Sequence, residues 1–174
     1  MMKKLLVVVG CSSLLFACSS GGASAPGVSS SALPAMPDRT ANNASLAGID
    51  TTGTGVRDDV HRYIFQTYTS THKRNAMMQS AKSMRGIYLN PPQTQTEALV
   101  LAKSVHRATD CFYSYAAAGY FSDMEAYKMS RQIEALHADT KARMQAYEKY
   151  NQLLDGTGEP LGPTAGTCDA GGGL

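Results

Sequence analysis

Beyond its first seventeen residues the chain has no long apolar run, no surplus of positive charge and no strand-like alternation of apolar and polar residues. Each absence excludes a class of protein. A bilayer-spanning helix needs roughly 20 consecutive apolar residues, and no later segment supplies them. The 16 Lys and Arg exceed the 14 Asp and Glu only through Lys3 and Lys4, so the body of the chain is electrically balanced. Nucleic-acid binding through phosphate neutralisation needs a basic stripe, and an anionic lipid surface recruits a polybasic patch. Neither is here, so no nucleic acid is expected as a partner. There is also no G-x-S-x-G, no H-E-x-x-H, no phosphate loop and no G-x-G-x-x-G. No catalytic residue is assigned, and the chain is not expected to be an enzyme.

What is present begins at the amino terminus. Lys3 and Lys4 precede an apolar stretch, Leu5 to Val9 and then Ser12 to Phe16. A basic start, a short apolar core and small residues before a cut site make a secretory signal. The stretch ends in Leu15-Phe16-Ala17-Cys18, which resembles the bacterial lipobox. That resemblance implies cleavage after Ala17, lipidation of the Cys18 sulfur and acylation of the new amino terminus, leaving residues 1–17 as a lipoprotein signal peptide. A rival pattern, Val8-Val9-Gly10-Cys11, would leave an apolar core of only Leu5 to Val9, shorter than the roughly 7–15 residues such cores need. Each buried acyl methylene contributes about 0.8 kcal/mol, and two chains already hold a protein at a membrane. Ser19 stands where, in the sorting pattern this resembles, Asp would favour the inner membrane. The expected location is therefore the outer membrane, lipid-anchored and facing the periplasm.

Removal of the signal and lipidation of Cys18 leave Cys111 and Cys168. Two thiols in an exported chain most often pair, and the loop they close stabilises by about 4 kcal/mol in the chain-entropy treatment. Reactive or metal-binding thiols are the alternative.

Residues 18–47, rich in Ser, Gly, Ala and Pro, bury too little apolar surface to offset ordering and read as a lipid-anchored flexible linker. A helical domain is expected over 48–154. Val56, Val60, Tyr63, Ile64 and Tyr68 share one face of a helix over 56–69. Met77, Ala81, Met84 and Tyr88 line a second over 72–88, stopped by Asn90-Pro91-Pro92. Thr94-x-x-Glu97 is a capping box that opens a third, with Ala98, Leu101, Val105, Ala108, Phe112 and Tyr115 inward and Gly119 past its end. Ser122-x-x-Glu125 opens a fourth, uninterrupted to Asp155, with Met129, Ile133, Leu136, Thr140, Met144, Tyr147 and Leu154 on its apolar side and an Asp139–Arg143 pair facing solvent. Residues 155–174 form an irregular Gly/Pro-rich tail pinned by the disulfide. The fold class is all-α, a small antiparallel bundle of about four helices.

One loop carries a chemical suggestion. Counted from Asp50, an EF-hand-type register places Thr52 at position 3, Thr54 at 5, Gly55 at 6, Val56 at 7, Asp58 at 9 and His61 at 12. The stretch resembles the Asp-rich loops of dockerin-like and thrombospondin-type repeats, with two ligands replaced by threonine. It also resembles a D-x-x-G-x-G-[VI]-R-D-D segment of uncharacterised proteobacterial exported proteins, a resemblance that implies no activity. Asp50, Thr52, Thr54, Val56 and Asp58 are thus a weak calcium-ligand set lacking the carboxylate at position 12, and His61→Glu is expected to strengthen it. A glycine-rich turn ahead of a helix with an acidic first turn accounts for the same residues. His106 and Asp110 lie one helical turn apart beside Cys111, but His61, His72 and His137 have no spacing that completes a zinc site. Apart from possible weak calcium, no cofactor is expected.

Two function classes fit these features: an outer-membrane-anchored helical module that binds or scaffolds an unidentified envelope protein, and a lipoprotein immunity factor or inhibitor of a periplasmic toxin or enzyme.

Overall fold

A computed structural model describes residues 33–158 and 166–169 of the 174-residue chain. The expected signal peptide, the expected lipidation site at Cys18 and the expected linker as far as residue 32 lie outside the described residues. Regular structure among the described residues is entirely helical: α1 (Arg39–Asn43), α2 (Asp58–Thr67), α3 (Thr71–Leu89), α4 (Gln95–Ala117), α5 (Asp123–His137) and α6 (Lys141–Leu153). No helix among them is long and apolar enough to cross a membrane.

The bundle is built around α3, which packs against α2, α4, α5 and α6. Its expected stripe, Met77, Ala81, Met84 and Tyr88, is buried, and so are Ala76, Met78, Gln79, Ser80 and Ile87. A helix surrounded on several sides shows no clean amphipathic stripe. The small residues Ala76, Ser80 and Ala81 leave room for its neighbours to approach.

Local signals set most of the helix ends. Thr94 accepts the Glu97 amide at 3.3 Å, although the Glu97 carboxylate reaches the Gln93 amide rather than that of Thr94. Ser122 and Glu125 form a complete capping box. Past α4 the chain turns through Gly119 at φ +81°. The Tyr120 amide donates to the Tyr115 carbonyl and the Gly119 amide to that of Ala116. These are the two bonds of a Schellman ending, which needs the left-handed backbone that glycine adopts without strain.

The expected fourth helix is two helices. The chain leaves helical geometry over Ala138-Asp139-Thr140, and Thr140 caps α6 by accepting the Arg143 amide at 3.2 Å. The break resets the helical phase. Met129 and Ile133 of α5 are buried as expected, but Met144 is 56% exposed, while Arg143 and Tyr150 turn inward. The Asp139–Arg143 pair is therefore not a solvent-side pair: Arg143 is 1% exposed.

The expected boundary at residue 48 also moves. Pro34 is buried and its carbonyl accepts Arg62 Nη1 at 2.7 Å, while Leu33 and Leu46 pack on the core. Asn42 is 4% exposed. Residues 33–47 belong to the folded body, held by hydrogen bonds to Arg62 and Arg143 as well as by the packing of Leu33, Pro34 and Leu46.

At the other end Cys111 and Cys168 are disulfide-bonded, with their Cα atoms 4.7 Å apart. The bridge holds residues 166–169 against α3 and α4. Buried Gln79 adds to it, donating to the Thr167 carbonyl at 2.7 Å and accepting the Asp169 amide at 2.8 Å.

Candidate functional site

The densest cluster of charge is a buried hub where the loop before α2 meets the α5–α6 corner. Arg57 and Arg143 are 2% and 1% exposed. Arg57 Nε donates to Asp59 Oδ1 at 2.6 Å, and its terminal nitrogens reach Asp139 Oδ1 and Oδ2 at 3.3 and 2.8 Å and the Leu136 carbonyl at 2.9 Å. Arg143 makes five hydrogen bonds. Its Nε donates to Leu46 O, Nη1 to Asn43 Oδ1 and Asp139 Oδ1, and Nη2 to Asn42 O and Ser45 O. A guanidinium has five N–H donors, so Arg143 is saturated and clamps the 42–46 segment to the corner. The requirement reaches the backbone at Gly48, φ +64°, where a Cβ would stand 2.3 Å from Arg57 Cδ and 2.8 Å from Asn42 Oδ1. Only glycine fits there.

Electrostatics match this wiring. Burial pushes the Asp139 carboxyl up, but hydrogen bonds and positive charge from Arg143 and Arg57 outweigh it, and the net displacement is downward. His137, 1% exposed, stacks on Tyr88 with ring centroids 5.8 Å apart. Burial first, then the charge of Arg57, lowers its pKa to about 3 against the opposing pull of Asp59 and Asp139, and Arg143 adds to the lowering. Burial raises the Tyr88 hydroxyl above the usual phenol range. A cleft of about 370 Å³ opens over the hub, lined in part by Met36, Arg57, Asp59, Arg62, Leu136 and Asp139. The carboxylates at its floor are engaged: Asp59 also accepts the Val60 amide and Asn42 Nδ2. A carboxylate whose lone pairs are taken by arginine and amides is a weak general base. The hub's chemistry is cohesion.

The calcium-ligand candidates are brought together as a closed turn. Asp50 Oδ2 accepts the Gly55 amide and Arg85 Nη1, both at 2.9 Å, while Oδ1 accepts the Thr52 hydroxyl at 3.3 Å. Asp58 accepts the Thr51 amide and, at 2.8 Å, its hydroxyl. Thr52 and Thr54 pair with each other at 3.2 Å, and the Val56 side chain is buried. A protein cation, Arg85, thus already sits on Asp50. At position 12, His61 is fully buried against Phe65, with both ring nitrogens lacking a hydrogen-bond partner among the described residues. Burial lowers its pKa, against Asp58 and Asp50. A carboxylate there would be buried, so the expected benefit of His61→Glu does not fit this geometry. Among the described residues no group of three or more His, Cys, Asp or Glu side chains is placed to hold a metal ion. His106 is half-buried and Asp110 is buried, while Cys111 is in the disulfide.

A second cleft, about 550 Å³, lies where α3 ends and α4 begins, lined by Leu89, Pro91, Gln93, Glu97, Val100 and Leu101. Leu89 and Val100 are 49% and 66% exposed. The Asn90-Pro91-Pro92 stop shapes it, because proline turns the chain away from the helix axis and leaves the last apolar residue of α3 uncovered.

Arg57, Asp58 and Asp59 are the R-D-D of the segment that begins at Asp50, and no local spacing connects them to Asp139, His137, Arg143 and Asn42. The available signal was Thr140 followed by Arg143, an N-cap spacing inside an apparently continuous helix. No protein-family model matches the chain, and comparison with curated proteins and with solved structures returns no match.

Proposed function

We propose that this chain is an outer-membrane-anchored lipoprotein whose helical domain faces the periplasm and binds a protein partner without catalysing a reaction. The anchor rests on Leu15-Phe16-Ala17-Cys18, and the Cys111–Cys168 bridge is in keeping with an oxidising compartment. One observation carries the binding role: the open cleft at the α3–α4 junction, with Leu89 and Val100 exposed at its mouth. An apolar concavity rimmed by polar residues such as Gln93 and Glu97 has the anatomy of a protein contact surface. The carboxylates of the hub, by contrast, are tied to its arginines.

The test is recovery of partners from envelope extract on the full chain, beside the Leu89→Asp and Val100→Asp variants. Both positions are exposed, so the fold should survive. A genuine partner is retained by the unaltered chain and falls at least tenfold with either variant. Retention that ignores both substitutions would contradict the proposal.

A further inference from the structure

We propose that the cleft over the hub binds a small carboxylate carried on an apolar chain, its charge held by Arg62 and its chain lying against Met36. The site is separate from the Leu89–Val100 cleft and stands independently of the protein-binding role assigned there.

The charges around the cleft leave one cation over. Arg57 and Arg143 are buried and matched by Asp59 and Asp139. Each of those carboxylates already accepts three hydrogen bonds, two on Oδ1 and one on Oδ2. The floor of the cleft therefore has little to offer a cationic ligand. Arg62 also lines the cleft, and it is in no ion pair among the described residues. Its Nη1 donates to the carbonyl of buried Pro34 at 2.7 Å, which fixes the guanidinium in place. Its Nε and Nη2 hydrogens have no acceptor among the described residues. That edge presents two parallel N–H groups, the fork that holds a carboxylate bidentately. A cation fixed before the ligand arrives loses less freedom on binding it. Exposed Arg39 lines an adjoining hollow that shares Met36, Asp59 and Asp139 with the cleft. The unspent charge is positive, which selects an anion.

The walls select the rest of the ligand. Val60, Tyr63 and Leu136 give the cleft an apolar side, and Met36, 69% exposed, lines it from the segment that Pro34 anchors. An unbranched thioether side chain adapts readily to an apolar chain laid against it, and covering Met36 removes apolar surface from water. At about 370 Å³ the cleft falls in the range of small-ligand sites, roughly 300–1,000 Å³. Apolar walls lower the local dielectric and so strengthen a guanidinium–carboxylate pair. One fork between such walls suits a monovalent carboxylate. A divalent phosphate would carry in a second charge that a single guanidinium does not offset.

The probes are sodium octanoate, below its micellar concentration, and octanamide, which has the same chain and no charge. The receiving chain is full length with Cys18→Ser, so that no acyl chain of its own competes. Binding is followed by nuclear magnetic resonance at the Arg62 Nε–H signal and at the Val60 and Leu136 amides. Octanoate should shift these signals and bind at least tenfold more tightly than octanamide. Arg62→Gln keeps a donor for the Pro34 carbonyl but removes the charge, and it should bring the two probes within twofold of each other. Met36→Asp changes an exposed position, so its helical circular dichroism signal should be unaltered while octanoate binding weakens at least tenfold. This second variant decides the matter even where Arg62→Gln loosens the fold. Leu89→Asp, in the other cleft, should leave octanoate affinity unchanged. Equal affinity for the two probes, a tenfold preference that survives Arg62→Gln, indifference to Met36→Asp, or equal weakening by Leu89→Asp would each overturn the proposal.

Discussion

Asp139 receives Arg57 Nη2 at 2.8 Å across 82 positions of sequence, and the same carboxylate accepts Arg143 Nη1, also at 2.8 Å. One side chain at a helix break therefore ties the loop before α2, the α5–α6 corner and, through Arg143, the 42–46 segment. Two buried cations with Asp59 and Asp139 make a balanced cluster, which is how charge survives burial.

Removing one member leaves the others buried and unpaired. Arg143→Ala should cost about 3–5 kcal/mol, the range for breaking a buried pair, because Asp139 and the carbonyls of Asn42, Ser45 and Leu46 all lose a donor. Arg143→Lys should recover only part of this, since an ammonium cannot reproduce the planar fork. Arg131, paired with Glu134 but 61% exposed, is the control, and Arg131→Ala should cost below about 1 kcal/mol. Urea unfolding followed by circular dichroism measures all three. Equal losses for Arg143→Ala and Arg131→Ala would contradict the hub.

Acid should loosen the fold in two stages. His137 titrates near 3 in the folded chain and near 6.5 unfolded. Between those values the unfolded chain binds more protons, so stability is full above pH 6.5 and falls as pH drops, by up to about 1.4 kcal/mol per pH unit. Asp139, displaced downward, adds stability above the ordinary carboxylate range and loses it as pH falls through its own lower pKa. His137→Phe keeps a ring against Tyr88 and removes the proton acceptor among Arg57, Asp59, Asp139 and Arg143. The slope of unfolding free energy between pH 6.5 and about 4 should flatten in that variant, leaving a residual slope from His61, whose pKa burial also lowers. An unchanged slope would remove His137 from the account.

The Asp50 loop gives a prediction opposite in sign to the one its residue spacing invites. With His61 fully buried, His61→Glu should destabilise by about 1–3 kcal/mol as an unpartnered polar group enters the interior. Arg85→Gln should loosen the loop by removing the cation on Asp50. Melting temperatures in calcium and in chelator should coincide within error for the unaltered chain at micromolar calcium. A shift of several degrees there would mean that calcium displaces Arg85.

What could be read from sequence, and what could not, divides by range. The Ser122 capping box and the Gly119 ending are specified within six residues, and both are in the fold. The apolar stripes of α2 and α4 are likewise visible as spacing, and Val60, Ile64, Ala98 and Phe112 are buried. The break at Asp139 has one local signal, Thr140 three residues before Arg143, which in a continuous helix reads as a stripe residue and in the fold is a cap; the Arg57 contact that engages Asp139 comes from 82 positions away and has no local pattern. Residues 33–47 read as linker because their apolar residues are too sparse to signal burial, although Leu33 and Leu46 pack on the core, and the hydrogen bonds to Arg143 and Arg62 that hold the segment have no local pattern. Position 12 of the loop register satisfied a count of residues, but its side chain faces the interior, a fact set by α2 packing and not by loop spacing.

We propose that the chain works from a membrane, tethered through Cys18. The most direct measurement is metabolic labelling with a palmitate analogue followed by membrane fractionation of the unaltered chain and Cys18→Ser. The unaltered chain should carry label and sediment with outer membrane, while the serine variant should be unlabelled and lost from that fraction. Label and outer-membrane sedimentation persisting in Cys18→Ser would contradict the claim.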